Sequence, residues 1–230
     1  MMKGANCMKR SLSLNGLGLK CLGWVFTFCA VGGLLIPDSA AGGVLAYLGY
    51  ISLPVFAFLL VEGFQNTENY NRYVLTLLIA AVVTEPFYDY ACNGVWLELA
   101  GANGQNILFA LALGLVQLHF LQAMGTGNVG RILASGLMVL CSALWCFLLN
   151  IPGGALVEVS AGLLYLLEDH PRAKYGSVGA LGLLFGVTPV LALPLVACYN
   201  GQRGNYCKYI FYAAYPALWA LVAIVKLLAA

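Results

Sequence analysis

Apolar and polar residues alternate along the chain in blocks, giving eight apolar runs separated by short polar breaks. The first run extends from about Leu17 to Pro37, the second from about Ala41 to Phe64 and the third from about Tyr70 to Cys92. A Gly/Asn-rich stretch over about 93–104 follows, then a fourth run over about Gln105–Met124 and a fifth over about Val129–Asn150. A shorter sixth covers about Gly153–Leu167 and leads into the charged link Glu168-Asp169-His170-Pro171-Arg172-Ala173-Lys174. The seventh covers about Tyr175–Cys198 and the eighth about Lys208–Ala230. A bilayer core about 30 Å thick is crossed by about 20 mostly apolar residues in an α-helix. The pattern therefore predicts an all-α integral membrane domain over 17–230, a single bundle of about eight transmembrane helices. The polar, basic segment 1–16 is expected to be partly disordered. Basic residues before the first run and Ser39, Ala40 and Ala41 after it resemble a signal peptide, but the run is long for that role and reads as a retained helix.

Composition strengthens this reading. Of the 230 residues 62% are hydrophobic and 9% charged, against about 25% charged in soluble domains. Mean hydropathy is +0.88, and no stretch reads as a separate soluble domain. A net charge of +2 without a basic, aromatic-rich patch offers no nucleic-acid surface. None of the eight cysteines stands in a Cys-x-x-Cys spacing, so no metal is expected. With eight spans and a cytoplasmic N-terminus, nine of the eleven Lys and Arg fall in inside segments, leaving Arg203 and Lys208 outside. That bias predicts that both termini are cytoplasmic.

The candidate chemistry is sparse. Ionisable side chains cost roughly 2.5–3.5 kcal/mol at a membrane helix centre and tend to face a cavity or a partner. Glu62, Glu85, Asp89 and Glu158 are the acids in or beside apolar runs, and no fixed spacing pairs them. His119, flanked by Gln117 and Gln122, is a candidate general base or acyl acceptor, or else a hydrogen-bonded packing residue. His170 reads as a solvated loop residue. Gly125-Thr126-Gly127-Asn128-Val129-Gly130 spells Gly-x-Gly-x-x-Gly, but it joins two membrane helices and lacks the strand that a dinucleotide site needs. It reads as a tight turn, with contact to the phosphates of coenzyme A as the alternative. Gly182-x-x-x-Gly186 reads as a helix-packing motif.

Three segments in fixed order carry a resemblance: Phe58-Leu59-Leu60-Val61-Glu62-Gly63-Phe64, Tyr199-Asn200-Gly201-Gln202-Arg203-Gly204, and Phe211-Tyr212-Ala213-Ala214-Tyr215-Pro216. With Thr84-Glu85-Pro86-Phe87 and Asn106-Ile107-Leu108-Phe109 they resemble the TraX family, multi-pass bacterial membrane proteins whose founding member acetylates the N-terminus of conjugative pilin. The resemblance implies a bacterial inner-membrane acyltransferase that moves acetyl from acetyl-CoA to an amine or hydroxyl, such as a peptide N-terminus or a surface polymer. Glu62, Glu85 and His119 would handle protons, and Asn66, Thr67, Asn106, Asn200, Arg203, Tyr212 and Tyr215 would line the cavity. Several departures touch the chemistry. Ala30 and Val31 stand where the family carries Asp-His, Asn66 and Leu218 where it carries His, and Tyr50 where it often carries Arg. Two other readings follow: a catalytically silent accessory subunit that binds a protein or lipid, and a small-molecule transporter.

Overall fold

The structure, a computed structural model, describes residues 13–98, 104–125, 127–205 and 208–229. The basic segment expected to be disordered lies outside these residues up to position 12, as do Thr126 and part of the Gly/Asn-rich loop. The elements are α1 (Gly16–Leu35), α2 (Ala40–Gly49), α3 (Ser52–Gln65), α4 (Tyr70–Asn93), α5 (Ile107–Met124), α6 (Val129–Leu148), α7 (Gly154–Leu166), α8 (Pro171–Phe185), a 3₁₀ turn (Thr188–Leu191), α9 (Ala192–Ala197) and α10 (Lys208–Ala229). Among the described residues this is an all-helical bundle, as the apolar pattern predicts. Six segments of the described residues are long and apolar enough to cross a membrane: α1, α2 with α3, α4, α5, α6 and α10. The chain is thus a multi-pass membrane protein.

The second run contains a break. Pro54 has no N–H to give to Tyr50, so the Tyr50 carbonyl accepts from Leu53 N at 3.3 Å and the Gly49 carbonyl takes the Ser52 hydroxyl at 2.7 Å. A Cβ on Gly49 would lie 2.5 Å from the Cβ of Ala30, so α1 and α2 touch backbone to backbone here.

The seventh run departs from expectation. It is not one span: Gly186, at φ +122°, ends α8, and Pro189 starts a 3₁₀ turn without an N–H to extend a helix. The chain then folds back on α8. A Cβ on Gly182 would sit 3.3 Å from the backbone nitrogen of Val190, and one on Gly179 would sit 3.0 Å from the Leu193 side chain. The Gly-x-x-x-Gly pair therefore divides its work: Gly182 packs and Gly186 turns. α8 and α9 form a hairpin that enters and leaves at the same end of the bundle.

This hairpin changes the topology. Leu14 N donates to Cys198 O at 2.9 Å and Gly16 N to Gln202 O at 2.7 Å, which joins the start of α1 to the turn after α9. α10 then runs parallel to α4. Arg72 meets Tyr209 at their starts, Tyr73 meets Tyr212, and Tyr88 meets Trp219 further along. α10 therefore ends at the opposite end of the bundle from the start of α1. The charge pattern becomes cleaner. Among the described residues, Lys20, Arg72, Arg131, Arg172, Lys174, Arg203 and Lys208 gather at one end, hereafter the basic end, and Lys226 lies at the other.

Candidate functional site

At the basic end, four helix termini enclose a cavity of about 340 Å³. Asn69 caps α4 by accepting from Arg72 N at 2.9 Å, which places Tyr70 in its first turn. The Tyr70 ring stacks on His119, from the last turns of α5, at 4.4 Å and 17° between planes. Stacking uses the face of the imidazole and leaves its two nitrogens at the ring edge. Gln65, at the end of α3, donates to Glu168 Oε2 at 2.6 Å across the opening. Phe64 meets Tyr70 and Tyr165 edge-on at 6.2 and 6.0 Å and closes the apolar side. Thr67 and Gln122 complete the polar wall. His119 is exposed, so a bound molecule can reach it.

Glu85 lies in a different place. It is fifteen residues past Tyr70, about 22 Å further along α4. Its Oε2 accepts from the backbone N–H of Asn106 at 3.3 Å and from the Asn106 side-chain amide. Asn106, fully buried, also donates to Ala81 O at 3.0 Å and caps α5 by accepting from Leu108 N at 3.1 Å. One turn on, Asp89 is buried and its Oδ2 accepts from Glu98 N at 2.8 Å. One oxygen of each acid has no hydrogen-bond partner among the described residues.

Glu62, Asn66, Asn200, Arg203 and Tyr212 lie toward the basic end without entering the cavity, whereas Tyr215 packs further along the bundle with Tyr88 and Trp219. Glu62 is half-buried and accepts from the Tyr199 hydroxyl at 3.2 Å. Asn66 donates to Glu62 O at 2.7 Å and closes the end of α3. Asn200 donates to Ser13 Oγ at 3.0 Å and accepts from Gln202 N at 2.9 Å, so it shapes the turn that holds the start of α1. The Arg203 backbone lies against Gly16. Tyr212 packs edge-on to Tyr73, and Tyr215 to Trp24 and Trp219. Glu62, Glu85 and His119 thus occupy three separate environments. Of the sequence candidates, His119 and Thr67 share the cavity.

One polar cluster was missed. Glu158 and Gln117 are both fully buried between α5 and α7, and Gln117 donates to Glu158 O at 3.0 Å. A Cβ on Gly114 would approach the Glu158 carboxylate at 3.4 Å, so the glycine makes room for it. The signals were an acid and an amide inside apolar runs, which periodicity alone does not bring together.

The TraX protein family matches residues 34–226, which is most of the chain. The chain belongs to the TraX family. It is also similar to a probable fimbrial assembly protein FimC, serogroup H1, from Dichelobacter nodosus, 28% identical over 211 residues and covering 80% of this chain and 83% of that protein. No solved structure matches. Within this TraX-family bundle, three of the positions where the resemblance leads one to expect acid or histidine are packed, and the fourth, Asn66, is exposed at the end of α3. Ala30 faces Gly49, and Val31 and Leu218 join Tyr88 and Trp219 in one apolar cluster.

Proposed function

We propose that this TraX-family protein is a membrane acyltransferase that moves acetyl from acetyl-CoA to an amine or hydroxyl in the basic-end cavity. The observation that carries the reading is His119, clamped by Tyr70 with its nitrogens at the edge of an open polar cavity. Seven of the eight described Lys and Arg lie at that end, which supports a cytoplasmic placement, where acetyl-CoA is found. In this topology the C-terminus faces the other side of a bacterial inner membrane.

In the reaction His119 accepts the proton of the attacking amine or hydroxyl. The C–S bond of the thioester breaks, a C–N or C–O bond forms, and the leaving thiolate receives the proton from His119. Arg131, in the first turn of the helix after α5, is the basic residue to test against the phosphates of coenzyme A. Glu85 and Asn106 take a structural part, and Glu62 anchors the Tyr199 turn.

A second reading, a non-catalytic assembly subunit, is favoured by the apolar packing of Val31 and Leu218 and by the relative's name, which points to a fimbrial subunit as partner. Transfer of labelled acetyl to peptide and lipid acceptors by the purified protein separates the two. The transferase reading expects turnover that falls about 100-fold in His119→Ala. Equal turnover in that variant removes His119 from the mechanism, and no turnover from folded wild type leaves the assembly subunit.

A further inference from the structure

α5 and α7 run side by side toward the basic end, and their contact uses one device twice. Opposite Gly114 of α5 stands the Glu158 side chain of α7. A Cβ on that glycine would lie 3.4 and 3.6 Å from Oε1 and Oε2 of the acid. Opposite Gly162 of α7 stands the Gln117 side chain of α5. Its Nε2 would lie 3.1 Å from a Cβ on Gly162, and it donates to Glu158 O at 3.0 Å. Each polar side chain fills the space left by the other helix's glycine. This fixes the register, because a shift of four residues along α5 would set the Glu158 carboxyl against Ala110 or Leu118 instead of Gly114. The same step continues to the cavity. Toward the basic end α5 next presents His119 and Gln122 to it, and α7 presents Tyr165 and Glu168.

The hydrogen bonding of this pair is incomplete as a carboxylate and an amide. Glu158 and Gln117 are both fully buried. Among the described residues the carboxyl group has the Cys146 thiol of α6 beside it, with Sγ 3.9 Å from Oε1, while Glu158 Oε2 and Gln117 Oε1 have no hydrogen-bond partner. A carboxylate only accepts, so it cannot satisfy the amide oxygen; a carboxylic acid has an O–H to give it. The packed helices bring no cation to the acid. α3 sets Leu60 against Gly114, and its own acid, Glu62, is bonded to Tyr199. Arg131 of α6 and Arg172 and Lys174 of α8 stand in the first turns of their helices at the basic end. Glu168, at that same end, is ten residues or about 15 Å along the chain from Glu158. A lone buried charge is strongly disfavoured, whereas a neutral acid–amide pair is a known means of fixing one helix register over another. We propose that Glu158 is a neutral carboxylic acid whose O–H donates to Gln117 Oε1, and that this pair is the positioning element that sets α5 against α7 and thereby His119 against Glu168. Its consequence for catalysis rests on the transferase reading of the cavity; the pair itself does not.

The test uses the full-length protein in nanodiscs at neutral pH. Infrared spectra report the carbonyl stretch of protonated carboxyl groups. Nuclear magnetic resonance of histidine-labelled protein shows two imidazoles, His119 and His170, and the ring current of stacked Tyr70 marks His119. α5 packs on both α4 and α7, so a slip against α7 moves His119 over the Tyr70 ring. Glu158→Gln should remove one protonated-carboxyl band and leave the His119 signal in place, since its amide can still donate to Gln117. Gln117→Met should displace the His119 signal and lower acetyl transfer at least about tenfold, because a misplacement of about 1 Å can cost about 100-fold. The exchange Gln117→Glu with Glu158→Gln should restore the band, the signal and the transfer. The proposal is overturned by infrared spectra that Glu158→Gln leaves unchanged, or by a folded Gln117→Met with the His119 signal unmoved. It is equally overturned by an exchange variant that lacks the band or does not fold while Glu158→Gln does. If Gln117→Met does not fold, the exchange variant decides. Wild type that shows the band and the His119 shift but transfers no acetyl breaks the transferase reading and leaves the pair standing.

Discussion

Asn106 provides the sharpest test of how the bundle is held together. Its side chain caps α5 through Leu108 N, donates to Ala81 O in the turn before Pro86, and donates to the buried Glu85 carboxylate. Asn106→Ala removes all three contacts. Loss of an N-cap costs about 1 kcal/mol. Stripping a buried carboxylate of a donor costs about 1–3 kcal/mol more. The sum is about 2–4 kcal/mol. Asn106→Asp retains a capping oxygen, loses both amide donors and sets a second carboxyl group against Glu85, so it should be at least as destabilised. Reversible unfolding in mixed detergent micelles, followed by circular dichroism, measures both. In a double-mutant cycle with Glu85→Gln, a coupling energy above about 1 kcal/mol is expected for groups in direct contact. If Asn106→Ala lies within about 0.5 kcal/mol of wild type, or Asn106→Asp matches wild type, the buried network does not contribute as described.

Two further outcomes follow from the fold. Gly49→Ala places a methyl group 2.5 Å from the Cβ of Ala30, where backbone rather than a flexible side chain must give way; a loss of about 1–3 kcal/mol is expected in the same unfolding assay. Reporter fusions at the two termini should report opposite compartments, and the same compartment for both would contradict the α8–α9 hairpin.

Much of the bundle was legible in the hydrophobic pattern because a long apolar helix needs no partner to reveal it. The runs that became α1, α4, α5, α6 and α10 start and stop within a few residues of the polar breaks. The seventh run was misread because hydropathy is blind to chain direction: Leu183 to Val196 is apolar whether it continues or turns back. The signal lay in Gly186 and Pro189, two residues that hydropathy scarcely registers. Reading them as a turn would have moved Arg203 and Lys208 to the basic end. At the site, His119 and Thr67 were accessible from the sequence, since a polar group at the end of an apolar helix tends to face a cavity. Their setting was not. Tyr70, Gln65, Tyr165 and Glu168 come from three other helix ends, and only packing brings them to His119.

A transferase of this kind binds its acetyl donor in the basic-end cavity. The direct measurement is acetyl-CoA binding by the folded, detergent-solubilised protein, comparing wild type with Thr67→Trp, which fills the cavity from its polar wall. Saturable binding to wild type, lost in Thr67→Trp while the variant unfolds at the wild-type temperature, is the expected result. No binding at millimolar acetyl-CoA, or binding that Thr67→Trp leaves unchanged, would contradict the account.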